Sequence, residues 1–149
     1  MRSEATDPDA TRHRLLEGVL LRLARRPDAG EYALRGGMLL RHWFRPTPRP
    51  AGDLDLVATF PCDSDEAARR FLPVFADAAD DGVTFDLERL RVEGIWLGTG
   101  NPGVRVFASG WFEGIEDDFN VDITFAPQPR PAAVFSELPT ACGETARVR

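Results

Sequence analysis

The chain has 149 residues and a formal net charge of −6, with 43% hydrophobic and 28% charged residues. This length fits one domain, and the composition excludes a wholly disordered, collagen-like or coiled-coil chain. The acidic balance excludes a uniformly basic nucleic-acid-binding surface but leaves a local basic patch open. No apolar run approaches the roughly 20 residues of a membrane helix, and the N-terminal residues lack the apolar core of a signal peptide. We therefore expect a cytoplasmic protein with no membrane partner.

The first predicted element is an amphipathic helix over Asp9 to Arg26. Arginines occupy much of its polar face, which is predicted either to solubilise the helix or to follow an RNA backbone through Arg22, Arg25 and Arg26. Five apolar residues recur at helical spacing and predict the face that packs on the core, namely Leu15, Leu16, Val19, Leu20 and Leu23.

A short strand is predicted over Tyr32 to Arg35, where it runs into a Gly-Gly pair. Met38 to Phe44 is predicted as a helix. The segment from Arg45 to Gly52 is predicted as a loop, because it is rich in proline, which helix interiors exclude.

The middle of the chain predicts a strand over Asp53 to Phe60 and then a helix over Asp63 to Ala79. Asp63, Ser64 or Asp65 is placed to cap this helix, and Glu66 is placed to complete a capping box.

Three β-rich runs follow, over Val83 to Leu97, Val104 to Phe112 and Phe119 to Phe125. The remaining C-terminal segment is rich in proline and poorly periodic. No internal repeat is visible. The order of elements predicts an α/β (α+β) fold, with a mixed sheet flanked by helices, in a single domain over residues 1–149.

Asp53 and Asp55 are the first candidate site residues, since alternation along a strand places both carboxylates on one face. Adjacent carboxylates repel each other unless a cation lies between them, and Mg²⁺ prefers oxygen ligands of this kind. The pattern Asp-x-Asp alone is weak, so an edge strand with a solvated face is the alternative. Asp122 lies on the polar face of a later strand, where a surface aspartate is the alternative. The three carboxylates converge if that strand pairs beside the strand of Asp53.

Gly36 and Gly37 lie between a predicted strand and a predicted helix. Glycine lets a backbone pass close to a ligand, and the N-terminus of a helix offers free N–H groups to phosphate. A Gly-Gly pair is also common in ordinary turns, so its position ahead of Asp53 is what gives it weight.

The order of strand, Gly-Gly, helix, Asp-x-Asp and a third Asp on a later strand resembles the polymerase-beta-like nucleotidyltransferase superfamily. Within it, the chain is most similar to the AbiEii/AbiGii type IV toxin nucleotidyltransferase family. The segments that carry the resemblance are Leu34-Arg35-Gly36-Gly37, Arg49-Pro50-Ala51-Gly52-Asp53-Leu54-Asp55, Asn101-Pro102-Gly103-Val104-Arg105-Val106 and Asn120-Val121-Asp122-Ile123-Thr124-Phe125. Ala51 replaces a hydroxyl residue of the family pattern. The family's C-terminal helical region, which supplies a Lys and further acidic residues, is expected to be absent.

The resemblance implies a metal-dependent nucleotidyltransferase with a toxin-like role. Mg²⁺ or Mn²⁺ would be held by Asp53, Asp55 and Asp122, which are also the expected catalytic residues. The expected partners are an NTP, an RNA acceptor such as a tRNA 3′ end or a protein acceptor, and a cognate antitoxin. Two alternatives stay open: a degenerate, non-catalytic domain that binds a nucleotide or a partner, and a small-molecule nucleotidyltransferase. The expected nucleotide-binding residues are Gly36, Gly37, Arg41 and Arg49.

Overall fold

The computed structural model describes residues 8–36, 38, 52–60, 63–96, 98, 102–125, 136–139, 142 and 145–148. Its helices are α1 (Pro8–Ala24) and α2 (Ser64–Ala76), with short 3₁₀ helices at Ala29–Glu31 and Leu87–Arg89. Its strands are β1 (Tyr32–Arg35), β2 (Leu54–Ala58), β3 (Val83–Phe85), β4 (Arg91–Ile95), β5 (Gly103–Phe112), β6 (Ile115–Phe125), β7 (Ser136–Pro139) and β8 (Thr145–Val148).

The main sheet has six strands in the order β1-β2-β6-β5-β3, and β4 also pairs with β5. Strands β2 and β6 run parallel, whereas the other pairs of this sheet are antiparallel. The long β5–β6 hairpin, which turns at Glu113 and Gly114, forms its centre. This mixed sheet with its helices confirms the predicted α/β class.

Helices α1 and α2 contact each other and pack on the sheet. All five residues of the predicted apolar face of α1 are buried, as are Phe71 and Val74 of α2. The Glu66 backbone N–H donates to Asp63 Oδ1 at 2.8 Å, which confirms the predicted cap of α2. None of the helices in these ranges has the length and hydropathy that crossing a bilayer requires.

Arg22 does not lie on a solvated face of α1, so the prediction for this residue is wrong. Its side chain is buried and donates to both carboxylate oxygens of Asp81, at 2.8 and 3.4 Å. It also donates to the backbone carbonyls of Gly18, Asp77 and Val83. Arg22 lies beside the apolar face of α1, because it is one helical turn beyond Gly18 and Val19.

Two other predictions differ from the structure. The run from Val83 to Leu97 is not one strand, because Asp86 accepts from the Glu88 backbone N–H and starts a 3₁₀ turn between β3 and β4. The C-terminal segment contains a hairpin, β7–β8, that contacts α1 and β1 through β8. Apart from Met38, which is helical, the predicted helix over residues 38–44 lies outside the described residues.

Candidate functional site

Parallel pairing of β2 and β6 brings three aspartates together beside the start of β2. Asp55 is the partner of Asp122 in the register, and Asp53 immediately precedes β2. One carboxylate oxygen from each residue lies within 4.8 Å of the other two. We call Asp53, Asp55 and Asp122 the triad. The strand periodicity anticipated this convergence, which depends on the β2–β6 pairing that the structure contains.

The triad is largely withdrawn from solvent. Asp122 is only 5% exposed, and Asp53 and Asp55 are half-buried. The neighbours of Asp55 along β2, Leu54 and Leu56, lie in the core, as their alternation predicts. A solvated surface aspartate is therefore the wrong interpretation of Asp122.

Arg105 makes the most specific contact with the triad. It lies on β5 directly opposite Asp122 in the antiparallel register. Its Nε donates to Asp122 Oδ1 at 2.7 Å and its Nη2 donates to Asp122 Oδ2 at 2.8 Å. This two-pronged contact fixes the plane of the carboxylate, because the guanidinium fork matches it in shape. The contact raises the pKa of Arg105 further above its ordinary value, so its charge is permanent.

Within the part of the chain that the structure describes, no comparable contact is made to the other two carboxyl groups of the triad. Burial raises the pKa of Asp53, and the negative charge of Asp122 raises it further, against opposing effects of Arg105 and Arg12. Burial also raises the pKa of Asp55, followed by the charges of Asp53 and Asp122, while Arg35 and Arg105 lower it. Arg12, Arg35 and Arg105 thus do not offset the combined effect of burial and of the neighbouring carboxylates, which favours binding of a cation.

Gly36 gives Asp55 the space that it occupies. Its φ is +75°, and a Cβ atom built there would lie 2.3 Å from Asp55 Oδ2. Any other residue would collide with this carboxylate and would also strain the backbone. The close approach at Gly36 is thus a contact with a triad residue, in addition to the phosphate contact predicted from the sequence.

Arg12 connects α1 to the segment that carries the triad. Its Nε and Nη2 donate to the two carboxylate oxygens of Asp117 on β6, both at 2.9 Å. Its Nη1 also approaches the carbonyl oxygen of Gly52, at 3.4 Å. Because Gly52 precedes Asp53, the first helix helps to hold the entry to β2 beside β6.

The predicted nucleotide-binding residues Gly37, Arg41 and Arg49 lie outside the described residues, as does Ala51. Arg35 is exposed at the end of β1 and lies opposite Asp55 in the register. The nucleotide-binding roles of Gly37, Arg41 and Arg49 stay predictions, and so does the contact of Gly36 with phosphate.

Sequence reasoning missed the roles of Arg105 and Arg12. A signal for Arg105 was present, because alternation in β5 places it on one face and an antiparallel neighbour could place it opposite Asp122. Nothing in the sequence pattern of α1 singles out Arg12 among the neighbouring arginines.

The triad fits a divalent cation by its donor chemistry. Carboxylate oxygens are the ligands that Mg²⁺ and Mn²⁺ prefer, and the three converge within the size of one metal site. Burial first, and then the neighbouring carboxylates, raise the pKa values of Asp53 and Asp55, and a bound cation would relieve both effects.

Two solved structures from Helicobacter pylori are similar to this chain. One is JHP933, with 14% identity and a TM-score of 0.52 over 92% of this chain and 50% of that one. The other is described as a "putative nucleotidyltransferase", with 14% identity and a TM-score of 0.54 over 99% of this chain and 54% of that one. At this identity the likeness concerns the fold alone. The chain spans about half the length of either protein.

No curated protein sequence matches the chain. The family model that matches is AbiEii, described as the nucleotidyl transferase AbiEii toxin of a type IV toxin–antitoxin system, and it covers residues 18–149. This match includes the triad, Gly36 and Arg105. The chain therefore belongs to the AbiEii nucleotidyl transferase toxin family.

Proposed function

We propose that residues 1–149 act as one metal-dependent nucleotidyltransferase domain that transfers a nucleotide from an NTP to an RNA acceptor. A tRNA 3′ end is the first acceptor to test, and a protein is the second. The observation that carries this proposal is the convergence of three carboxylate oxygens within 4.8 Å, where the start of β2 pairs with β6. Membership of a toxin family supports a toxin-like role and a cognate antitoxin as partner.

In this proposal Asp53 and Asp55 hold Mg²⁺ or Mn²⁺, and Asp122 holds the catalytic metal and helps to activate the attacking hydroxyl. When bound, the metal ions supply charge stabilisation to the attacking and leaving oxygens of an in-line displacement that releases pyrophosphate. Gly36 and Gly37 bind the triphosphate through backbone N–H groups. Arg41 and Arg49 bind its phosphate oxygens, because a guanidinium matches phosphate geometry.

Metal binding is the first test of the proposal. Adding Mg²⁺ or Mn²⁺ at about 100 times its dissociation constant should raise the free energy of unfolding by roughly 2.7 kcal/mol. Asp55→Asn should lose most of this response, because the substitution removes one ligand and the repulsion that the metal relieves. Thermal unfolding of the full chain, with Ca²⁺-free buffer and a metal titration, measures both. Equal shifts in the wild type and Asp55→Asn would contradict a metal site at the triad.

Transfer itself is tested with α-³²P-labelled NTPs, Mg²⁺ or Mn²⁺, and a tRNA pool, with Asp55→Asn as the control. Label in tRNA that falls about a thousandfold in the variant supports the proposal, since metal catalysis contributes several kcal/mol to the barrier. Label found in protein or in a small molecule instead of tRNA would show that the acceptor belongs to that class and is not RNA. Metal binding without label in any acceptor would favour a non-catalytic nucleotide-binding or partner-binding domain.

A further inference from the structure

Arg105 introduces a positive charge into the cluster that is proposed to bind a positive ion. It contacts only one of the three carboxylates and does so with both prongs, at 2.7 and 2.8 Å. Asp122 is thereby the triad member whose charge is already offset by the protein. Arg105 acts on Asp53 and Asp55 from a longer distance, where its positive charge lowers their pKa values.

The contact leaves coordination sites open on Asp122. Each carboxylate oxygen has about two lone-pair positions, and the guanidinium fork uses one on each oxygen. A metal ion can therefore share Asp122 with Arg105 without displacing it. A metal ion bound to Asp122 in this way would lie close to the positive charge of the Arg105 guanidinium and would be repelled by it.

A nucleotide changes this balance because its phosphates are negative. The side chain of Arg105 is 31% exposed, so its guanidinium is accessible from the solvent side of the triad. Within the described residues its Nη1 has no acceptor, whereas Nε and Nη2 are engaged by Asp122. Nη1 is thus available to donate to a phosphate oxygen, which would offset the repulsion that the metal ion meets.

We propose that Arg105 is a positioning residue and the resident counter-cation of the triad: it orients Asp122 and weakens the binding of a free divalent cation, so that metal and nucleotide bind cooperatively. This inference rests on the proposed function, because it assumes metal binding at the triad. A purely structural Arg105 predicts a different result, in which its loss weakens metal binding and turnover together.

The test compares Mn²⁺ binding to the full chain with and without a mixture of the four α,β-methylene ribonucleoside triphosphates. Isothermal titration and electron paramagnetic resonance of free Mn²⁺ both measure it. Arg105→Gln should bind Mn²⁺ alone about tenfold more tightly, since repulsion between a dication and a nearby single charge reaches that size even in bulk water. The gain in Mn²⁺ affinity from the nucleotide analogue should shrink in this variant, while the rate of transfer falls.

Arg105→Lys separates charge from geometry. Lysine keeps the positive charge but has no planar fork, so Mn²⁺ affinity should stay within about twofold of the wild type while turnover falls. The matched control is Arg89→Gln, which removes an arginine paired with Glu116 about 20 Å away along β6 and should change neither quantity.

Unchanged or weaker Mn²⁺ binding by folded Arg105→Gln would overturn the inference. If that variant does not fold, Arg105→Lys decides, since a changed Mn²⁺ affinity or wild-type turnover would overturn it as well. Failure of the proposed function has a separate signature, because Asp55→Asn would then bind Mn²⁺ as the wild type does. Absence of Mn²⁺ binding by the wild type and by every variant would overturn both.

Discussion

Two arginine–carboxylate contacts in this protein differ in the balance of their charges. At the Arg22–Asp81 contact one guanidinium meets one carboxylate, and backbone carbonyls of Gly18, Asp77 and Val83 accept from the remaining donors. The Asp81 carboxylate also accepts from the Val83 backbone N–H at 3.1 Å. At the triad three carboxylates converge, and among the described residues Arg105 is the arginine with a hydrogen bond to one of them, Asp122.

The difference separates a contact that fixes the fold from one that leaves room for a ligand. A buried charge pair is tolerated when both partners are satisfied, as at Arg22, where it ties α1 to the segment before β3. A cluster whose negative charge exceeds that of the described arginines around it repels itself and gains from a bound cation. Charge balance and the partial exposure of Arg105 therefore distinguish the triad from the fully buried Arg22–Asp81 pair.

The largest expected effect removes the balanced pair. Arg22→Gln should lower the free energy of unfolding by about 3–5 kcal/mol, because it leaves Asp81 buried without its cation. The control is Arg89→Gln, whose ion pair with Glu116 is solvent-exposed and should contribute less than about 1 kcal/mol. Urea unfolding measures both variants. If Arg22→Gln lowers the free energy of unfolding no more than Arg89→Gln does, the balanced Arg22–Asp81 pair does not fix the fold.

The next largest effect is expected at Gly36, which lies against Asp55 of the triad. Gly36→Ala should destabilise the protein by roughly 1–3 kcal/mol more than Gly114→Ala, because only the first new methyl group meets Asp55. Gly114 is the matched control, since its φ of +78° is nearly the same and nothing lies within 4 Å of its Cβ position. Urea unfolding gives the difference, and the Mg²⁺-induced stabilisation should decrease only in Gly36→Ala. Equal losses in the two variants would argue against the contact.

The smallest effect is a pH dependence of the metal-free protein. The pKa values of Asp53 and Asp55 are raised above the ordinary 3.8, so the folded state holds their protons more tightly than the unfolded state. Their contribution to stability is therefore present below pH 3.8 and is lost as the pH rises through the raised values. Asp55→Asn should flatten this part of the profile, and Mg²⁺ should reverse its sign by favouring the ionised carboxylates. Urea unfolding from about pH 4 to about pH 7 tests both.

Much of the fold and the acidic part of the site follow from local patterns. The spacing of leucines in α1 agrees with the structure. The alternation around Asp122 correctly predicts a strand, but its polar face is buried as well, since residues 121–124 are all buried. The convergence of Asp53 with Asp122 also needed the pairing of β2 with β6. Resemblance to a family, rather than periodicity, made that pairing the expected one.

Sequence patterns did not predict the arginines that pair with a carboxylate on another element. Arg22 looks like a residue of a solvated face, because a pattern of polar and apolar residues contains no information on a distant carboxylate such as Asp81. Arg12 was missed for the same reason, since its partner Asp117 lies on another element. For Arg105, alternation in β5 gives the face of the side chain but does not show that Asp122 lies opposite. The turn at Asp86 and the β7–β8 hairpin depend on local hydrogen bonds and packing that alternation does not register.

The parallel pairing of β2 with β6 has a consequence for the order in which the site is assembled. The β5–β6 hairpin is local in the chain, so Arg105 and Asp122 are joined by a tight turn at Glu113 and Gly114. By contrast, α2 and three further strands separate β2 from β6 in the chain. Local contacts close at lower entropic cost than distant ones, so the guanidinium and its carboxylate can meet before the other two acids arrive. Any fluctuation that detaches β2 from β6 would dismantle the triad and leave the hairpin, with its ion pair, intact.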